Sequence, residues 1–231
     1  MADFYETETV SFLVIEADLI HLYVFTNRTS ISFGRKTTHN IPDIPSDSPS
    51  VSREHGSFIK INDTWFYCDK GSVNGTYVQG KKAKPGINGR VSPIILNHGD
   101  ILKVASPLKP NAPVCWIMFL NGHFSCNWDF HPLKQRSVSF GTSRKNTVRF
   151  LNGSAECMFA SVIKSNDKWT VYSGSDDVKV NNAPLNLSEE TILRNYDCLC
   201  VHGYYFIFVN SGFYYMVSDA YEFPFSIFHL F

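Results

Sequence analysis

Long apolar runs are missing from this chain of 231 residues. None reaches the ~20 residues that a membrane-spanning helix requires. Even the aromatic stretch from Phe213 to Phe231 is broken by Asp219, Glu222 and Pro224, so no transmembrane segment is expected here. An excess of charge of one sign is also lacking, with 21 Lys and Arg against 21 Asp and Glu. That balance leaves no global basic field to draw nucleic acid or an anionic membrane, and any anion site must be local. The first residues, MADFYETETV, lack the basic start and apolar core of a signal peptide. The six cysteines, Cys68, Cys115, Cys126, Cys157, Cys198 and Cys200, stand singly inside apolar stretches. Reduced thiols and a cytoplasmic setting are expected. Cys198 and Cys200 share one face of a predicted strand, yet no second Cys or His pair stands at zinc-site spacing, and Cys126 and His131 are too isolated for a metal. There is no Gly-rich phosphate loop followed by Lys-Ser/Thr, no nucleophile elbow and no paired-carboxylate motif. Neither an enzyme nor a cofactor is implied.

Aromatic and β-branched residues are plentiful. Apolar residues make up 44 % and aromatics 15 %, with 19 Phe and 11 Tyr, a composition suited to pleated, half-buried surfaces. Strands are predicted at Leu19 to Thr26, Ser30 to Phe33, Ser57 to Lys60, Trp65 to Cys68, Ile101 to Val104 and Trp116 to Leu120, with Asn-Gly, Gly-Asp and Pro-containing turns between. No stretch shows a helical period, so the expected class is an all-β sandwich or barrel. Residues Lys36 to Val51, rich in Pro, Ser and Asp, read as one long surface loop.

An internal repeat fixes the number of units. His55-Gly-Ser-Phe-Ile-Lys60, followed by Asn62, Asp63 and Trp65, aligns at constant offset with Phe159-Ala-Ser-Val-Ile-Lys164, followed by Asn166, Asp167 and Trp169. Upstream, Ser30 to Gly34 aligns with Ser137 to Gly141; downstream, Asn97 to Val104 aligns with Arg194 to Val201. Two copies of one fold are expected, residues 1–122 and 123–231, joined near Asn121 to Asn127.

The first copy carries Gly34-Arg35, then Ser52-Arg53-Glu54-His55, then Asn74-Gly75-Thr76, then Gly80 and finally Gly99-Asp100. Five elements in this order, over roughly residues 30 to 105, resemble the forkhead-associated (FHA) domain. The resemblance implies a phosphothreonine-binding surface in which Arg35 and Ser52 occupy phosphate-binding positions, Arg53 an assisting one, and Asn74 the position that fixes the bound peptide's backbone. The chemistry suits the ligand. A phosphothreonine carries about −1.5 to −2 charges and three strong acceptors, and arginine's planar fork meets two phosphate oxygens at once. Lys36, His39 and Lys70 are expected to extend the positive patch. His55 lacks a partnered acid and nucleophile and reads as part of the framework stiffening the loop. Gly75 is expected at positive φ, with Thr76 tying the same turn by a local hydroxyl bond. Val73 departs from the family, which often carries a threonine there whose hydroxyl also reaches the phosphate. That removes a donor worth about 1–3 kcal/mol if charge-assisted. Loop side chains between Lys36 and Ser50 are expected to set specificity.

In the second copy Arg35 is matched by Thr142, and Ser52, Arg53 and His55 by Glu156, Cys157 and Phe159. The Asn-Gly-Thr turn becomes Ser175-Asp176-Asp177-Val178. Its carboxylates would repel phosphate, so this copy is expected to serve packing or protein contacts. An intact module followed by a degenerate one resembles the cytoplasmic amino-terminal region of EssC-like, membrane-bound coupling ATPases of type VII secretion. The similarity includes Asp177-Val-Lys-Val-Asn181, Leu193 to Asp197 and Val201 to Phe208. It implies a longer protein with membrane and ATPase segments beyond Phe231. Two functions stand open: capture of a phosphothreonine-containing protein, or a phosphate-independent scaffold that recruits or assembles secretion-system components.

Overall fold

The β-branched and aromatic runs form strands in a computed structural model, which describes residues 8–17, 19–84, 92–104, 114–122, 128–152, 156–209 and 211–223. The chain divides into two units, Met1–Ser125 and Cys126–Phe231. Residues 123–127, where the junction is expected, lie outside the described residues, as does Cys126. Among the described residues no helix is long and apolar enough to cross a membrane.

The first unit contains β1 (Thr9–Glu16), β2 (Leu19–Thr26), β3 (Ser30–Arg35), β4 (Ile44–Ser46), β5 (Gly56–Ile61), β6 (Thr64–Asp69), β7 (Tyr77–Val78), β8 (Lys81–Lys82), β9 (Ile94–Leu96), β10 (Ile101–Val104) and β11 (Cys115–Asn121). One sheet has the order β2-β1-β11-β10-β7-β8 and the other β4-β3-β5-β6-β9. Period-two alternation sends Ile31 and Phe33 of β3, and Trp65 and Tyr67 of β6, inward to meet Phe12 and Phe119 of the facing sheet. The Phe12 and Phe58 rings lie 4.4 Å apart at their centroids, and each such buried phenylalanine contributes about 1.5–3 kcal/mol. On β1 the residues between the core-facing ones, Ser11, Leu13 and Ile15, are fully buried as well. This strand therefore reads as a continuous apolar run without alternation.

The segment Lys36 to Val51 is not simply a surface loop. It contains β4, which pairs parallel with β3, and Ile44, Ser46, Ser48, Ser50 and Val51 are buried. The polar residues that suggest a loop bond locally instead. Asp43 accepts the Ser32 N–H and hydroxyl, both at 2.7 Å, and the Ser48 and Ser50 amides donate to the hydroxyls of Ser46 and Ser48.

The second unit contains β12 (Trp128–Pro132), β13 (Ser137–Gly141), β14 (Val148–Phe150), β15 (Met158–Ser165), β16 (Lys168–Ser173), β17 (Val178–Val180), β18 (Ala183–Pro184), β19 (Glu190–Leu193), β20 (Asp197–Val201), β21 (Tyr204–Val209), β22 (Gly212–Met216) and β23 (Tyr221–Glu222). Its sheets run β12-β22-β21-β20-β17-β18 and β19-β16-β15-β13-β14-β23. The two orders correspond except in two places: the second unit adds β23 beside β14 at a sheet edge, and the strand next to β21 has a different origin. Beside β11 the first unit places its amino-terminal strand β1, whereas beside β21 the second places β22, from its carboxyl-terminal end. Phe140, Phe206, Phe213 and Trp169 form the second core. The chain is all-β, with each unit a sandwich around its own core.

Candidate functional site

The site is built where β3 ends and the loop 50–55 crosses it. An ideal Cβ on Gly34 would lie 2.1 Å from the Arg53 carbonyl oxygen, so only glycine lets the two backbones approach this closely. Next to it, the Arg35 amide donates to the Ser52 carbonyl at 2.8 Å, and Arg35 Nε donates to the Val51 carbonyl at 3.1 Å. With Nε anchored, the terminal guanidinium nitrogens keep their donors for a ligand. Asn74 Nδ2 donates to the Ser50 carbonyl at 2.7 Å, and the Val73 amide donates to Ser52 Oγ at 3.1 Å. Residues 50–52 thus hold Arg35 from one side and the 73–74 turn from the other. Ser52 accepts through Oγ and retains its hydroxyl proton for an anion. The Val73 N–H is occupied by Ser52, and the Val73 side chain is 88 % exposed. Arg53 is exposed, as are Glu54, Lys36, His39 and Lys70. Gly75 has φ 75°.

Beneath the loop lies a buried polar hub. His55, fully buried, accepts the Ser52 amide on Nδ1 at 2.9 Å. That fixes the tautomer: Nε2 carries the proton and donates to Thr76 Oγ1 at 3.1 Å. Burial pushes the His55 pKa down to about 4, and both ring nitrogens are engaged, so it has no free lone pair to act as a base. Burial raises the Tyr67 phenol far above its ordinary range, and that O–H reaches Thr76 Oγ1 at 2.6 Å. Thr76 in turn reaches Asp69 Oδ2 at 3.3 Å. Thr76 therefore does not tie its own turn locally; it joins the 50–55 loop, β6 and the turn before β7. Asp69 closes the turn by accepting the Gly71 and Ser72 amides at 2.9 and 2.8 Å and the Ser72 hydroxyl at 2.7 Å. Tyr67 and Asp69 are missing from the motif-based set. Their signal is period two on β6: with Trp65 inward, residues 67 and 69 face inward too.

The second unit keeps the crossing and loses the donors. An ideal Cβ on Gly141 would lie 2.2 Å from the Cys157 carbonyl oxygen, and Thr142, in place of Arg35, bonds the Cys157 backbone in both directions, at 2.9 and 2.8 Å. Gly141 pairs with Met158 across a register shift, so strand pairing replaces part of the recognition loop. Phe159 fills the His55 position and stacks on His202 with rings 5° from parallel. Ser173 replaces Asp69, and its hydroxyl donates to the Ser175 carbonyl at 2.6 Å. Glu156, Asp176 and Asp177 are exposed. No cluster of His, Cys, Asp and Glu able to hold a metal occurs among the described residues.

No curated protein matches the chain by sequence. Solved structures with related folds include the FHA domain of the CT664 protein from Chlamydia trachomatis, 18 % identical, covering 50 % of this chain and 99 % of that one at TM-score 0.37. EmbR from Mycobacterium tuberculosis, solved in complex with a low-affinity phosphopeptide, is 20 % identical over 51 % of this chain and 26 % of its own, at TM-score 0.37. The N-terminal FHA domain of EssC, a component of the bacterial type VII secretion apparatus, is 14 % identical and covers 92 % of this chain and 94 % of that one, at TM-score 0.37. The FHA domain family model matches residues 31–105, which span the Gly34 to Thr76 constellation. With the second unit repeating that strand order apart from β22 and β23, the fold is a pair of tandem FHA-type β-sandwiches.

Proposed function

We propose that the first unit is a non-enzymatic module that binds a phosphothreonine peptide of a partner protein, with Arg35 and Ser52 on the phosphate, Arg53 assisting, and Asn74 on the peptide backbone. FHA domains bind phosphopeptides as interaction modules. The observation carrying the reading is the convergence of Arg35, Ser52 and Asn74 on the three-residue segment 50–52, each with donors left over. Two of these groups are held by backbone carbonyls and the third by a backbone amide, so their geometry is set before a ligand arrives and costs little ordering entropy.

In this reading the second unit binds no phosphothreonine, and the pair belongs to the cytoplasmic amino-terminal region of an EssC-like secretion ATPase. What supports that setting is an intact module followed directly by a degenerate one, and the sequence similarity across Asp177 to Phe208. The test is calorimetric titration with a phosphothreonine peptide library and its unphosphorylated counterpart. Phosphorylated peptides should bind preferentially, and Arg35→Ala should weaken them roughly ten- to a hundredfold, the value of a charge-assisted pair. Equal binding of both libraries would remove the phosphate from the function and leave the scaffold reading.

A further inference from the structure

Across the Asn74–Gly75 turn lies a side chain with no part in the site described so far. An ideal Cβ on Gly75 would stand 2.6 Å from Lys82 Cε and 3.5 Å from its Nζ, so the Lys82 stem crosses Gly75 and the ammonium lies beside this glycine. The ribbon that carries Lys82 is tied at both ends. Lys82 pairs with Tyr77 across the β7–β8 ribbon, and its neighbour Ala83 is buried, with the Ala83 amide donating to the Thr76 carbonyl at 2.7 Å. The ribbon turns through Gln79 and Gly80, both at positive φ, and Gln79 Nε2 is tied to Asp100 Oδ1 at 2.7 Å. Lys82 is exposed and forms no ion pair among the described residues. Between Lys70 and Lys84 the sequence holds Lys70, Lys81, Lys82 and Lys84 and no carboxylate.

The second unit supplies an internal control. There the same ribbon is kept bond for bond: the Leu185 amide donates to the Val178 carbonyl at 2.9 Å, and Asn181 Nδ2 donates to Asp197 Oδ1 at 2.9 Å. Lys179 pairs with Pro184 as Tyr77 pairs with Lys82. The position of Lys82 is therefore proline in the copy that has also lost Arg35 and Ser52. The fold does not need the cation, since the ribbon forms without it.

We propose that Lys82 reads an acidic side chain flanking the phosphothreonine. This rests on the phosphothreonine reading above. Val73, bonded to Ser52, marks the phosphate end of the turn, and Gly75 lies two residues further on. Gly75 adjoins Asn74, which holds the peptide backbone in that reading, so the Lys82 ammonium beside Gly75 stands where a side chain flanking the phosphothreonine passes.

The test uses synthetic phosphothreonine peptides with aspartate placed at each flanking position in turn, titrated into the full chain at low and physiological salt. One acidic position should tighten binding roughly two- to fivefold, as a solvent-exposed ion pair does, and the gain should shrink as salt is raised. Lys82→Gln should abolish that preference while leaving binding of the unsubstituted phosphopeptide nearly intact. Lys81→Gln, with the same change in net charge on the other side of the ribbon, should preserve it. If Lys82→Gln and wild type share one flank preference while Arg35→Ala still loses binding, the Lys82 assignment falls and phosphothreonine binding stands. If wild type fails to distinguish phosphorylated from unphosphorylated peptide, both fall.

Discussion

His55 is held neutral by its surroundings, and that has a thermodynamic signature. Its pKa is about 4 in the fold against an ordinary 6.5, chiefly through burial. As pH falls through 6.5 the unfolded chain takes up a proton that the folded unit refuses until about 4. The stabilisation is therefore complete above 6.5 and is lost between 6.5 and 4, by about 3 kcal/mol. Burial also lowers His131 in the second unit, a contribution unchanged by substitution at residue 55. Urea unfolding followed by tryptophan fluorescence over this window should show a steep loss in wild type and a shallower one in His55→Asn. Identical slopes would place the acid sensitivity elsewhere. Residue-level chemistry was partly legible in the sequence. Gly34, Arg35, Ser52, His55 and Asn74 are recognisable because their order and spacing are unusual together. Asp69 and Tyr67 escape because each alone looks like an ordinary strand residue, and only the inward face of β6 joins them to Thr76.

Among the elements, β7 and β8 are two-residue strands that matter more than their length suggests, because they position Lys82. Gln79→Ala removes the bond to Asp100, at about 1 kcal/mol. The expected outcome is local: the Ala83 amide, bonded to Thr76, should exchange with deuterium roughly fivefold faster in the variant, while amides of β5 and β6 keep their wild-type protection. Uniform acceleration across the unit would mean that the tether supports the whole sandwich and not the ribbon. The sequence reads strands well where one face is wet, as at β2, whose bounds coincide with the apolar run. It hides β1, buried on both faces so that alternation vanishes, and β4, whose Pro and Ser look like loop until the hydroxyls are seen bonding neighbouring amides. The exchange of β1 for β22 is invisible in the repeat, which begins after β1 and ends before β22 in the respective copies.

For the molecule as a whole, the proposed function divides structure from recognition between the two sandwiches. Supplying the second with an arginine should not convert it. In the double variant Arg35→Ala, Thr142→Arg, calorimetry should find no phosphothreonine binding, because Glu156, Asp176 and Asp177 remain and the counterpart of the 52–55 loop is drawn into strand pairing at Met158. Recovered affinity would show that the charge at residue 142 alone decides. The strand beside β21 has a further consequence, for synthesis on the ribosome. The first sandwich is complete once Asn121 has emerged, because its flanking strand β1 precedes the strand it pairs with. The second stays open along β21 until Gly212 to Met216 is translated. A message cut short before that point yields one finished module and one with an unzipped edge, a substrate for chaperones and proteases rather than half of a working pair.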